Sequence, residues 1–446
     1  MGTVVILGAA GRDYHDFLSV FKQDEDHDVV AFVQVEGQNV AELDEFPDRA
    51  FPASLAGDQY DEDIPIRPES ELEQIIADHG VDEVVLSYSD ASHEEVMHQA
   101  SRVLATGASF RLVGPDDMML EAETPVVAVD AVRTGAGKSQ ASQKITDLLE
   151  ERGLEVVVVR EPMPYGDLAS AAVQRFETHE DLDDADVTIE EREEYERHID
   201  RGHVVYAGVD YAAILDRVEQ EADIILWEGG NNELPFFRPD LHVVLADPVR
   251  PGDERAYHPG ETNLRMADYV VINKENSAEQ SAIDTVAANV GQVNPDAEIV
   301  HADSVVTVED PSLIEGKRVL VVEDGPTVTH GGTASGAGRI AAEKYGATEI
   351  VDPADSATGS LEQVLDTYEL DRVLPAMGYS EEQRRELEQS ITAADCDAVV
   401  AGTPIDLAGV IDVDTPVVNV EYRIANEEPA FSDILDRHSS VLGVER

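Results

Sequence analysis

Short apolar runs alternate with amphipathic stretches along almost the whole chain. TVVILG (3–8), HDVVAFVQV (27–35), VDEVVLSYS (81–89) and SFRLVGP (109–115) predict strands. DYHDFLSVFKQD, ESELEQIIADHG and ASHEEVMHQASRVLATG, with apolar positions at helical spacing, predict the helices between them. The same alternation restarts at TPVVAVDAV (124–132) and continues through LEVVVVRE, ADIILWEGG, LHVVLADPV and ADYVVINKEN. A last series runs through GKRVLVVEDGP, ATEIVDP, DRVLPAMG, CDAVVAGTP and TPVVNVEYR. Near-continuous apolar strands separated by helices are the pattern of parallel α/β sheets buried on both faces. Three α/β units are expected: a Rossmann-like N-terminal domain (1–122), a P-loop nucleotide-binding domain (123–310) and a C-terminal α/β domain (311–446). The charge-dense stretch 178–201 is expected to be solvated helix or loop over the central sheet.

Composition narrows the class. With 446 residues, 42% of them hydrophobic, the chain can build several cores. No run approaches the roughly 18 apolar residues of a membrane span, and the N-terminus lacks a basic leader, so a cytoplasmic protein without membrane contact is expected. The single cysteine, Cys396, excludes an intramolecular disulfide and a cysteine metal cluster. Ninety-four acidic residues against 31 basic ones give a net charge of −63. The acid is spread over helices between clean strands rather than blocked, which argues against disorder. Lysine is confined to positions 22, 138, 144, 274, 317 and 344. An evenly acidic, lysine-poor surface suits a folded protein from a high-salt cytoplasm, where repulsion is screened over a few ångströms. The same charge excludes binding to a nucleic-acid backbone, which needs a basic face.

The strand 124–132 runs directly into Arg133-Thr134-Gly135-Ala136-Gly137-Lys138-Ser139-Gln140. Gly137, Lys138 and Ser139 stand in register with a phosphate-binding loop, although Val132 occupies the place of its first glycine. The stretch resembles the deviant loop of the P-loop class that contains dethiobiotin synthetase and the dimerising ATPases. Arg133 matches a signature lysine there that reaches phosphate across a dimer, so a homo-oligomer, with a dimer as first expectation, follows from the resemblance. A P-loop needs an acid on a neighbouring strand end to hold Mg²⁺. Glu228 and Asp130 are the candidates, with Ser139 as the hydroxyl ligand. Asn231 and Asn232 next to Glu228 are uncharged donors suited to a substrate. Asn273-Lys274 matches the start of the guanine-reading N-K-x-D motif, but Asn276 cannot supply the paired acceptors guanine requires. ATP is therefore expected, with GTP possible.

The long connection 247–268 carries Arg250, Arg255, His258 and Arg265, which suggests a small anionic substrate, with His258 as an acid/base group. Two further glycine loops stand at strand ends. Gly8 and Gly11 form a partial dinucleotide fingerprint with Tyr14 at its third position and Glu36 as a ribose candidate. Asp324, Thr327, Thr329, His330, Gly331 and Gly332 precede a helix near Gly336, and His330 is expected to act on the acceptor side of the γ-phosphate.

Taken together, GAAGRDYHDF, VRTGAGKSQ, LWEGGNNELPFFRPDLHVVLADP, YHPGETNLRMADYVVINK, EDGPTVTHGG and AGTPIDL are similar to an archaeal and bacterial family described as predicted P-loop GTPases, often labelled cyclic 2,3-diphosphoglycerate synthetase. The acidic surface points to a haloarchaeal member. The resemblance implies an Mg²⁺–ATP-dependent ligase that phosphorylates a small anionic metabolite, with Lys138 on the β/γ-phosphates, Ser139 and Glu228 on Mg²⁺ and Arg133 on the transferred charge. A regulatory or chaperone-like GTPase is the alternative.

Overall fold

The computed structural model describes residues 1–35, 49–161, 168–185, 187, 189–329, 334–368, 370–376, 381–403, 407 and 411–443. In chain order the N-terminal unit holds β1 (Gly2–Leu7), β2 (His27–Gln34), β3 (Ala50–Phe51), β4 (Ile64–Pro68), β5 (Glu83–Leu86), β6 (Ala91–Ser92) and β7 (Ser109–Leu112). The central unit holds β8 (Val126–Ala131), β9 (Val156–Arg160), β10 (Gln174–Phe176), β11 (Val204–Ala207), β12 (Ile224–Glu228), β13 (Leu241–Ala246), β14 (Tyr257–His258), β15 (Tyr269–Ile272) and β16 (Glu298–Val308). β17 (Arg318–Asp324), β18 (Glu349–Ile350), β19 (Leu374–Ala376), β20 (Ala398–Gly402) and β21 (Val417–Glu428) follow.

The N-terminal sheet has the order β3-β4-β2-β1-β5-β7, and β1 pairs in parallel with both β2 and β5. Strand order reverses at β1, so the ligand-prone crevice lies beyond its C-terminal end. The second sheet runs β10-β11-β9-β12-β8-β13-β15-β16-β21-β20-β17-β18, with β19 beside β17. Its centre, β8, β9, β12 and β13, is buried along its whole length, as doubly covered parallel strands of Val, Ile and Leu require. The fold is thus the mixed, mostly parallel α/β architecture expected. The sheet also crosses the expected boundary near residue 310 without a break, because β16 and β21 pair antiparallel over most of their length.

Two contacts position the site. One hydrophobic core joins the N-terminal and central units, with Ile6, Tyr14 and Phe32 in the same cluster as Val126, Trp227 and Phe236. The connection 247–268 is not irregular: a 3₁₀ turn at Asp253–Arg255 leads into β14, which pairs with β6 of the N-terminal unit, and the helix Gly260–Met266 follows. The helix Ile189–Ile199 also departs from the expected solvated cover. Its outer face is charged, but Tyr195 and His198 turn inward and are buried. No helix among the described residues is long and apolar enough to cross a membrane.

Candidate active site

β8 delivers the chain into the loop Val132–Gly137 and then the helix Lys138–Glu150. Gly135 and Gly137 take φ values of 80° and 101°, where a side chain is strained. A Cβ on Gly137 would also lie 2.1 Å from Nδ2 of Asn273. Gly137 gives the helix no side-chain cap, so its first amides remain open to an anion favoured by the helix dipole.

Asn273 and Lys274 hold the loop itself. Buried Asn273 donates to the carbonyl of Ala136 at 3.0 Å, and Lys274 donates to that of Gly135 at 2.6 Å and to Asp247 at 2.9 Å. Asn276 exchanges two hydrogen bonds with the backbone of Ser304, which occupies both ends of its amide. Gln140, on the first turn, accepts from the Ser304 hydroxyl at 3.2 Å.

Lys138 folds back onto the loop after β12, donating to the carbonyl of Gly229 at 2.5 Å. Burial lowers it to about 8, and Arg160 adds to the shift while Glu228 and Asp130 oppose it. The two expected metal acids differ. Glu228 is fully buried, ion-paired with Arg160 at 2.7 Å and hydrogen-bonded to His198 at 2.8 Å. Burial pushes its carboxyl up, but Arg160 and His198 outweigh this and hold it well below the usual range. Asp130 accepts from His242 at 2.9 Å and from the Trp227 indole at 3.3 Å, and burial raises it.

Arg133 is engaged by acids and an aromatic ring from the N-terminal unit and the connection. It donates to Asp90 at 3.0 Å and to Asp253 at 2.9 Å, with its guanidinium 3.7 Å above the Tyr257 ring. In this conformation it ties the N-terminal unit to the connection. Thr134 donates to the Asn231 side chain at 3.0 Å. Asn232 is fully buried; it accepts from the amide of Asp90 at 2.8 Å and donates to the carbonyl of Val132 at 3.0 Å. It therefore joins the N-terminal unit to the P-loop.

Of the three arginines in the connection, only Arg250 reaches the P-loop, donating to the carbonyl of Thr134 at 2.7 Å. Arg255 donates to Gln292 at 3.0 Å, and Arg265 lies half exposed against Glu261. They do not form one cationic cluster. His258 is held on β14 with Nε2 buried and without a hydrogen bond among the described residues, and burial lowers its pKa to about 3.

The N-terminal glycine loop is filled by its own side chain. The Asp13 carboxylate accepts from the amides of Ala10, Gly11 and Tyr14 at 2.9–3.2 Å, so these donors are taken by the chain itself. Glu323 does the same at the helix Ala337–Lys344, accepting from the amides of Gly336, Gly338 and Arg339 at 2.8–3.0 Å. Burial raises Asp13 to about 6 and Glu323 to about 7. His330, Gly331, Gly332 and Glu36 lie outside the described residues.

The structure adds residues that the motifs did not indicate. Arg12 of the N-terminal unit is buried 3.7 Å from Glu233, two residues beyond Asn231, and Glu161 accepts from the amide of Gly230 at 3.2 Å. One signal was available: Arg160-Glu161 ends the four-valine run of LEVVVVRE, and charged residues at the C-terminal end of a parallel strand face the ligand crevice.

No protein-family model matches the chain. It is 52% identical over 435 residues to the arginine synthetase ArcE of Thermococcus kodakarensis, covering 97% of this chain and 96% of that protein. Among solved structures it is similar to LpxK of Aquifex aeolicus bound to ATP, at 12% identity, with 79% of this chain and 94% of that chain covered and a TM-score of 0.39. It is also similar to the hydrogenase maturation factor HypB of Archaeoglobus fulgidus, at 20% identity over 40% of this chain and 81% of that chain, with a TM-score of 0.26.

Proposed function

This chain belongs to the family of the arginine synthetase ArcE and is a P-loop enzyme of the ligase or NTPase type; on that premise we propose that it synthesises arginine, or an amino acid of the same guanidino chemistry, with cleavage of ATP. The supporting observation is Lys138, a half-buried ammonium parked on the carbonyl of Gly229 at the uncapped start of the P-loop helix. Such a lysine exchanges a neutral acceptor for phosphate oxygens once nucleotide binds.

In this reading Lys138 neutralises the β/γ-phosphates, and Thr134 through Gln140 supply the surrounding backbone. Magnesium supplies the Lewis acidity for phosphoryl transfer when bound. Ser139 offers it a hydroxyl, and Asp130, held by a histidine and an indole, is better placed to face it through water than Glu228, whose charge is matched by Arg160. Arg133 closes the rim of the site by tying Asp90 to Asp253. The acceptor enters from the N-terminal unit, because Asp90 and Asn232 bring that unit against the loop. The anionic sugar acid implied by the first resemblance finds less support, since Arg255 and Arg265 point elsewhere.

The test runs the reaction backwards in molar KCl. Labelled phosphate is expected to enter ATP from ADP when L-arginine and Mg²⁺ are present, and not with a phosphorylated sugar acid. No dependence on arginine would overturn the reading. Turnover of GTP as fast as ATP, without any acceptor, would favour the regulatory GTPase, which the engaged Asn276 argues against.

A further inference from the structure

Where the N-terminal unit meets the loop after β12, charged side chains are buried that the nucleotide does not use. Arg12 is 1% exposed, with carboxylate oxygens of Asp16 and Glu233 at 3.5 and 3.7 Å, yet none of its three nitrogens makes a hydrogen bond among the described residues. A guanidinium carries five N–H donors, and a buried one is ordinarily engaged. Glu233 Oε2 and His258 Nε2 are buried without a hydrogen bond as well. Glu161 adds a carboxylate, anchored on the amide of Gly230. Groups of both signs with donors or acceptors left over face one another here across two units, although Glu233 keeps a hydrogen bond to Ser89. A simple anion would meet Glu161, Glu233 and Asp16, and a metal ion would meet Arg12. A ligand that carries both charges satisfies both sides.

We infer that Arg12, Glu233 and Glu161 form the subsite for an α-amino acid. Arg12 receives the α-carboxylate through its forked donors, Glu233 receives the α-ammonium, and Glu161 faces the nitrogen-bearing end of the side chain. The assignment rests on the proposed synthetase reading and names its substrate class. Arginine is the side chain whose planar fork matches a carboxylate. Backbone continuity orients the ligand: the carbonyl of Gly229 takes Lys138, and the next amide, that of Gly230, takes Glu161. The carbonyl and N–H of this one peptide group point to opposite sides, so a single rigid plane separates the phosphate side, at Lys138, from the acceptor side, at Glu161. Burial raises Glu233 to about 7 and pushes Glu161 well above its ordinary range; a bound cation lowers both.

Calorimetric titration of the full-length protein in molar KCl tests this, using L-arginine and agmatine, the same guanidinium chain without the carboxylate. The wild type is expected to prefer arginine by about tenfold or more, the scale of a lost charge-assisted pair. In Arg12→Gln the two ligands should converge to within about threefold, and in Glu233→Gln arginine should weaken about tenfold, with ATP affinity held in both variants. Equal affinity of the wild type for the two ligands, or an unchanged preference in folded Arg12→Gln, overturns the subsite. If Arg12→Gln does not fold, unchanged arginine affinity in Glu233→Gln overturns it. Arginine-driven ATP formation that survives in these variants removes the subsite and leaves the synthetase reading. Arginine binding without any such turnover in the wild type removes that reading and leaves the subsite.

Discussion

Arg160 and Glu228 face each other at 2.7 Å at the ends of neighbouring parallel strands, in register and almost without solvent contact. Removing the Glu228 charge leaves the buried Arg160 with Glu194 as its remaining carboxylate, and leaves His198 without its partner. Glu228→Gln is therefore expected to cost about 3–5 kcal/mol of unfolding free energy, measured with denaturant in molar KCl. The double variant Glu228→Leu/Arg160→Met should recover much of that loss. A cost under about 1 kcal/mol for the single variant would show that water reaches the pair.

Nucleotide binding should take up protons at mildly alkaline pH. Lys138 sits at about 8 in the free protein, below its unfolded value, so it is partly neutral there, and phosphate favours the ammonium. Calorimetry in buffers of different ionisation enthalpy should show an uptake of about half a proton at pH 8 and almost none at pH 6.5. Lys138→Arg keeps its charge and should show none at either pH; uptake that persists in that variant would assign the proton to another group.

Asn232 ties the amide of Asp90 to the carbonyl of Val132 inside the interface between two units. Asn232→Ala orphans both backbone groups, so a stability loss of about 1–3 kcal/mol is expected. Nucleotide affinity should fall too, because the P-loop loses its brace on the Val132 side. Thermal unfolding and ATP titration of the same preparation check both parts; unchanged values would mean the bridge is ornamental.

The phosphate loop was legible because its strand, glycines and Lys138 are contiguous, and a backbone cradle leaves a local trace. The surroundings were not. Arg160 meets Glu228 only because β9 lies beside β12, and His198 arrives from a helix whose charge density concealed its inward face. Arg250, Arg255 and Arg265 are close in sequence, but a bend, a 3₁₀ turn and a helix carry them to different partners. The parallel α/β alternation was readable throughout, whereas the antiparallel pairing of β16 with β21 depends on strands more than a hundred residues apart.

Salt dependence follows from the net charge of −63. Below about 0.5 M KCl the screening length grows and repulsion over the acidic surface extends farther, so the melting temperature should fall as salt is withdrawn. A melting temperature that holds in dilute buffer would show that the surface acid is neutralised within the fold.

Asp13 and Glu323 each lie in the amide cradle of a glycine loop that would otherwise attract a diffusing anion. A tethered carboxylate is always at high local concentration and cannot be washed out, so these two cradles are permanently self-inhibited. Among the described residues, the P-loop helix is the one of the three whose first amides take no carboxylate of the chain. Searches that count glycine loops would overstate its binding capacity for phosphates, and a nucleotide titration should saturate near one equivalent per chain.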